Sequence, residues 1–207
     1  MAALPAQRAF IPFHEEFGQD SWTGGYSIDV STSGVELEYR NPREAHIIRL
    51  DPGLDGISWS WVLDSGASRA TAQRRGKLLL AEGQIGKKRR VLEQDLGGLP
   101  WYQGPDYSLS LLARKEKGAE QGFWIILPED LSVHKMKGKN AGPDSFTLGG
   151  EKVPAIRIVM VVQGLPEIIW KNEYWYSPSG EYLGFRGRRG GPWEPLAKIW
   201  RMKAEAD

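Results

Sequence analysis

The stretch Trp170-Lys-Asn-Glu-Tyr-Trp-Tyr-Ser-Pro-Ser-Gly-Glu-Tyr-Leu-Gly-Phe185 constrains the fold more than any other. It reads as two short strands joined by the turn Ser177-Pro178-Ser179-Gly180. Side chains alternate between faces along a strand, so Trp170, Tyr174 and Tyr176 share one face and Trp175 takes the other. A sheet with rings on both faces must be covered on both, by protein or by a ligand. A curved β structure satisfies that requirement.

The rest of the chain supports a strand-rich reading. Ser27–Val30 and Val35–Arg40 flank Ser33-Gly34, a hairpin signal. Val35, Leu37 and Tyr39 face a core while Glu36, Glu38 and Arg40 face water. Ala45–Leu50 predicts a third strand, and Gly56–Leu63 a fourth with Ile57, Trp59, Trp61 and Leu63 in one stripe. A polar strand through Arg69 and Gln73 follows, then Lys77–Glu82 and Ile85–Glu93, separated by Gly83 and Gly86. The basic Lys87-Lys-Arg-Arg90 suits an edge, where charge discourages sheet-to-sheet association.

Asp106–Lys115 predicts one helix of two to three turns, with Asp106 as its cap. Gly122–Leu127 reads as a strand, the centre of Lys135–Phe146 as a loop, and Ile156–Val162 as a central apolar strand. Ala197–Met202 predicts a closing strand. The expected fold is mainly β: a highly twisted antiparallel sheet or incomplete β-barrel with one or two short helices packed against it. Residues 1–207 read as a single domain, with 1–20 a loosely attached lead anchored by Phe10, Ile11 and Phe13.

Composition narrows the chemistry. The absence of cysteine among 207 residues excludes disulfides and thiolate catalysis. A formal charge of +1 provides no general attraction to nucleic acid or anionic membrane. The basic runs at Arg74-Arg75, Lys87–Arg90, Lys135–Lys139 and Arg186–Arg189 therefore read as solvated edges and turns. Nucleic acid is not an expected partner. No apolar run is long enough for a transmembrane helix. The opening Met1-Ala-Ala-Leu-Pro-Ala-Gln-Arg lacks a basic segment followed by an apolar core, so export requires a signal segment outside this sequence.

Site motifs are sparse. His14, His46 and His134 form no close-spaced ligand motif, and neither a metal nor a cofactor is expected. Ser65-Gly66-Ala67-Ser68 has no nucleophile-elbow pattern. Glu36 and Glu38 share a strand face at about 6–7 Å, between the separations of retaining and inverting glycosidases. That face is wet, so neither carboxyl should have the raised pKa an acid catalyst needs. The glycine pairs Gly97-Gly98 and Gly149-Gly150 suit turns rather than a phosphate loop.

The second half of the chain resembles the DUF3108-like family of uncharacterised bacterial exported proteins. The resemblance runs from Pro100 to Arg186 through Pro100-Trp101-Tyr102, Tyr107–Arg114, Val153-Pro-Ala-Ile-Arg-Ile158 and Glu173–Leu183. It departs at Pro178 and Ser179, where the family turn often carries an acid. The resemblance implies an antiparallel β fold and an envelope location, periplasmic or otherwise exported, but no catalytic residues. More distantly, the chain is similar to the half-barrels of lipoprotein carriers and periplasmic lipid-binding proteins.

The resulting expectation is a non-enzymatic envelope protein that binds a lipid or other apolar or amphipathic molecule on the concave face of its sheet. Trp59, Trp61, Phe123, Ile158, Met160 and Trp175 are the expected lining, and Trp193 is a further ring for such a cleft. The alternative is a structural or protein–protein interaction module of an envelope assembly. Lys135, Lys137, Lys139, Arg186, Arg188 and Arg189 would then meet a protein partner.

Overall fold

The computed structural model describes residues 9–165, 169–189 and 193–202. Eight strands run first: Ala9–Phe17 (β1), Asp20–Ser31 (β2), Gly34–Arg40 (β3), Glu44–Leu50 (β4), Gly56–Leu63 (β5), Ser68–Arg75 (β6), Leu78–Ile85 (β7) and Lys88–Asp95 (β8). Two single-turn helices follow, Pro105–Ser108 (α1) and Ser110–Ala113 (α2). The remaining strands are Glu120–Ile126 (β9), Val133–Leu148 (β10), Glu151–Val162 (β11), Asn172–Tyr176 (β12), Tyr182–Gly187 (β13) and Ala197–Arg201 (β14).

All fourteen strands of the described residues belong to one antiparallel sheet, ordered β8-β7-β6-β5-β4-β3-β2-β1-β14-β13-β12-β11-β10-β9. Two meanders are therefore joined where β1 pairs with β14, with Phe13 opposite Arg201 and Phe17 opposite Ala197. The basic strand β8 is one edge and β9 the other. The sheet does not close by strand pairing. Instead the connection before α1 lies against β9 through a parallel bridge between Trp101 and Trp124. Its Trp101 carbonyl accepts the Gly56 N–H at 2.8 Å, linking β9 to the start of β5.

Alternation sets the buried face. Leu37 is fully buried and Val35 and Tyr39 nearly so, while Glu36 lies outside. Burying each such apolar side chain contributes about 1.5–3 kcal/mol. Val35, Leu37, Ile48, Leu50, Trp59, Trp61, Leu79 and Trp101 belong to one core beneath β3–β7. Leu109, Leu112, Phe123, Met136, Ile158, Tyr174 and Tyr176 belong to a second beneath the helices and β9–β12. No helix among the described residues is long and apolar enough to cross a membrane.

Several local expectations are corrected. The segment 9–17 is no loose lead: β1 sits mid-sheet, hydrogen-bonded on both sides by β2 and β14. Phe13 is buried and Phe10 exposed, and residues 1–8 lie outside the described chain. Ile57 leaves the tryptophan stripe because the β4–β5 register shifts between Arg49 and Leu50, so Gly56, Trp59 and Trp61 face inward while Ile57 faces water. Gly83 lies within β7, and the turn falls at Gly86 instead.

The expected loop around Lys135–Phe146 is strand β10. Its three lysines point outward, while Met136, Gly138 and Asn140 point in, so one apolar side chain is enough where a helix supplies the packing. A bulge between Asn140 and Gly142 accommodates Pro143, and beyond Asn140, which still exchanges backbone hydrogen bonds with Gly118 and Ala119, the β9 pairing stops and a missing N–H on that side costs nothing. The predicted helix is broken at Leu109 into two turns, and its start moves to Gly104, with Pro105 in the first turn. Asn140 satisfies the free carbonyls after α2, donating to Leu112 O at 3.2 Å and Lys115 O at 2.9 Å.

Candidate functional site: a cavity between two cores

The inner faces of the two meanders leave a cavity of about 700 Å³ between them. Ile48 and Ile126 come to its wall from the first core, and Met136, Met160, Tyr174 and Phe185 from the second. Val162 and Ile199 extend the apolar wall. Leu165, Ile169 and Trp193 stand exposed at its rim, with Trp193 84% accessible. A smaller cavity of about 240 Å³ adjoins it, and Tyr26, Asp106 and Tyr182 line both.

One charged network enters the larger cavity. Glu15 on β1 is buried on the same face as Phe13 because an apolar alternation continues through it. Tyr39 donates its hydroxyl to Glu15 Oε1, Trp22 donates at 3.0 Å and Asn41 at 3.3 Å to Oε2. Gly24 makes room, since a Cβ there would stand 2.7 Å from Glu15 Oε1. The guanidinium of Arg189 bonds Glu15 Oε2 through Nη2 and Glu44 Oε1 through Nη1, each at 2.7 Å.

Arg189 is aimed by its neighbours. Asn172 accepts the Arg188 N–H at 2.8 Å and donates to the Arg188 carbonyl at 3.0 Å, clamping the backbone just after β13. Burial works against the Arg189 charge, but Tyr39, Glu15 and Glu44 outweigh it and raise its pKa. Glu44 also accepts from Trp61 Nε1 at 2.8 Å, and His46 Nε2 lies 3.2 Å away. Trp59 Nε1 donates to His46 Nδ1 at 3.2 Å, so the hydrogen-bond pattern places the imidazole proton on Nε2, toward Glu44.

Burial opposes ionisation of Glu44, yet the His46 hydrogen bond, the Arg189 charge and the Trp61 hydrogen bond hold its pKa down to about 2. Asp106 behaves the other way. Burial raises its carboxyl, and the hydrogen bond from Tyr26 only partly offsets that. Glu129 is exposed at the rim; partial desolvation, followed by the like charges of Glu44 and Glu194, pushes it up to about 7. Solvent screening limits that shift.

The residues expected to line a cleft are dispersed. Met160 is on the cavity wall. Trp59, Trp61, Phe123 and Ile158 are packed into the cores, although the two indoles hold His46 and Glu44 from behind. Trp175 is on the outer face, 5.4 Å from the Phe146 ring, with its N–H on Asp144 at 3.1 Å. Odd parity removes it from the interior that Tyr174 and Tyr176 enter.

Among the expected partner residues, Lys135, Lys137, Lys139 and Arg186 do lie on the outer face. Lys135 stacks over Trp124 at 5.9 Å and Lys137 pairs with Glu120 at 3.3 Å. Arg188 donates to the Glu194 carbonyl at 2.9 Å, and Arg189 belongs to the cavity, so the run splits between two environments. No motif in the sequence marks Glu15, Glu44 or Tyr39 as site residues, and His46 belongs to no ligand pattern. The available signal was Phe13-His14-Glu15-Glu16-Phe17, an acid at the centre of an inward alternation. No group of three His, Asp or Glu side chains among the described residues is arranged to hold a metal ion.

This arrangement defines an open, barrel-like β protein with an internal cavity. Among solved structures it is similar to a β-barrel-like protein of the domain of unknown function DUF1849 from Brucella abortus. The two are 11% identical, over 95% of this chain and 98% of that one, with a TM-score of 0.60. It is also similar to the hypothetical lipoprotein YmcC from Escherichia coli K12, at 10% identity over 99% of this chain and 87% of that one, with a TM-score of 0.44. At such identity the first likeness is one of fold. No family model and no curated protein matches the chain, so the DUF3108-like kinship is not shown.

Proposed function

We propose that this protein is a non-enzymatic binder of an apolar or amphipathic molecule in the bacterial envelope, exported from the cytoplasm and akin to the DUF3108-like group. The observation that carries the reading is the cavity of about 700 Å³ between the two apolar cores. Its size falls within the range of about 300–1,000 Å³ used for small-molecule sites. Its wall is mostly aliphatic and aromatic, with polar groups gathered around Arg189, Glu44 and Tyr39. Apolar wall that faces water in such a cavity gives a ligand of matching surface a favourable transfer out of solvent.

The test is native mass spectrometry of protein purified from its own host, with extraction of any bound molecule. A fluorescent apolar probe provides a second measurement. The probe should bind wild type and be excluded by Val162→Trp, which fills the cavity from a partly exposed wall position. An apo protein that also ignores the probe would sink the binder reading.

A second reading, the envelope interaction module, has the exposed rim in its favour. Leu165, Ile169 and Trp193 offer apolar surface, and Lys135, Lys137, Lys139 and Arg186 offer charge elsewhere on the outside. It predicts that Trp193→Ala abolishes co-purification of an envelope protein while probe binding persists.

A further inference from the structure

The charged groups of the larger cavity are one-sided. Among the described residues, Glu44, Asp106, Glu129, Asp130 and Glu194 line it, against one permanent cation, Arg189. The chain as a whole carries a formal charge of +1, so this is a local concentration of acid. Arg189 does not balance it, because its guanidinium is already bonded to two carboxylates, Glu15 and Glu44. Nor are the two histidines on the wall uncommitted. His46 lies between Trp59 and Glu44, and His134 Nε2 meets Ser132 Oγ at 2.9 Å.

An anionic head group would therefore meet repulsion and find no uncommitted cation among the described wall residues. A cationic head would meet Glu129, which makes no ion pair among the described residues, and Asp130, whose Oδ1 accepts only the Ser132 N–H. Carboxylates alone would define nothing. Here they rim an apolar space of ligand size whose wall also presents Trp170, Tyr174 and Phe185. Aromatic faces attract cations, and exclusion of water strengthens both attractions.

Resting on the binder reading, we infer that the ligand of this cavity is an amphiphile with a cationic head group, its chain against Met136, Met160 and Val162 and its head toward Glu129 and Asp130. The aliphatic wall recognises the chain through area, without regard to charge. Head-group selectivity comes from the difference between attracting a cation and repelling an anion.

The experiment compares three probes on the full chain, each below its micelle-forming concentration: dodecyltrimethylammonium, dodecyl maltoside and dodecanoate. Isothermal titration at pH 8.5, where Glu129 is ionised, at low and physiological salt reads affinity. The ammonium probe is expected to bind at least about tenfold tighter than dodecanoate, with added salt narrowing the gap. Glu129→Gln, an exposed rim substitution, should weaken the ammonium probe several-fold and leave the maltoside unchanged. Equal binding of ammonium and maltoside overturns the head-group inference while the binder reading stands. Preference for dodecanoate overturns it too and assigns the head to Arg189. Binding of none of the three removes the binder reading itself.

Discussion

Arg189 and Glu15 are 174 positions apart in the chain, and their Nη2 and Oε2 atoms stand 2.7 Å apart. The pair ties the segment after β13 to β1, and the other guanidinium nitrogen reaches Glu44 at the start of β4. One side chain thus spans the junction of the two meanders at the cavity wall. Glu15 is 1% exposed and Arg189 27%, so water screens the contact weakly.

Removing one partner of such a pair leaves a buried charge uncompensated. Arg189→Met keeps much of the stem and is expected to destabilise the protein by about 3 kcal/mol, near the lower limit for a broken buried pair. The lower limit applies because Tyr39, Trp22 and Asn41 still donate to Glu15. Urea unfolding measures this, and the double variant Glu15→Gln/Arg189→Met should recover part of the loss. Equal stability of Arg189→Met and wild type would refute a structural role for the bridge.

Acid should weaken the fold through Glu44. Its folded-state pKa lies below the ordinary 4.5, at about 2, so its stabilisation is complete above 4.5 and disappears as pH falls through 2. The shift corresponds to roughly 3 kcal/mol at neutral pH. Glu44→Gln should therefore unfold at lower urea than wild type at pH 7, with the difference shrinking progressively below pH 4.5.

Asp106 should have the opposite sign. Its carboxyl is raised by burial, so ionisation favours the unfolded chain as pH rises above the ordinary value of 3.8. Asp106→Asn retains an acceptor for the Tyr26 hydroxyl and removes that penalty. We expect a higher melting temperature at pH 7 and none of that gain at pH 3. A lower melting temperature at pH 7 would contradict the sign.

Gly56 is where the bridging segment meets β5. A Cβ at this position would stand 2.5 Å from Trp101 Cε3 and 2.8 Å from its carbonyl oxygen. Gly56→Ala must push the Trp101 strand away, at a cost of about 1–3 kcal/mol for overpacking. Amide exchange should accelerate at Gly56 and Trp124, whose N–H groups bond this segment.

Trp175 should be irrelevant to ligand binding. Its ring is on the outer face against Phe146. Trp175→Phe is predicted to leave apolar-probe affinity unchanged, whereas Val162→Trp removes it. Loss of binding in both variants would show that the probe occupies the outer surface.

The hairpin between Trp170 and Phe185 shows what was legible. Alternation correctly separated Tyr174 and Tyr176 from Trp175, because strand parity is a local property of the backbone. The same logic found the inward faces of β3 and β5, except where the bulge beside Leu50 turned Ile57 outward. It failed for β10, whose inward positions need only Met136, Gly138 and Asn140 because a helix lies over them. That helix lies outside β10, and nothing within the strand announces that Leu109 and Leu112 pack over it.

The sequence by itself determined a curved, mainly antiparallel β protein, free of thiol chemistry, with rings on both faces of its aromatic hairpin. Only the tertiary structure decided which rings meet empty space. Strand order places β1 beside β14 and brings Arg189 to Glu15 and Glu44. Local alternation states which way a side chain points from its own strand, whereas a cavity depends on what stands opposite. Trp59 and Trp61 point inward and meet packed core, while Met160 points inward and meets the cavity.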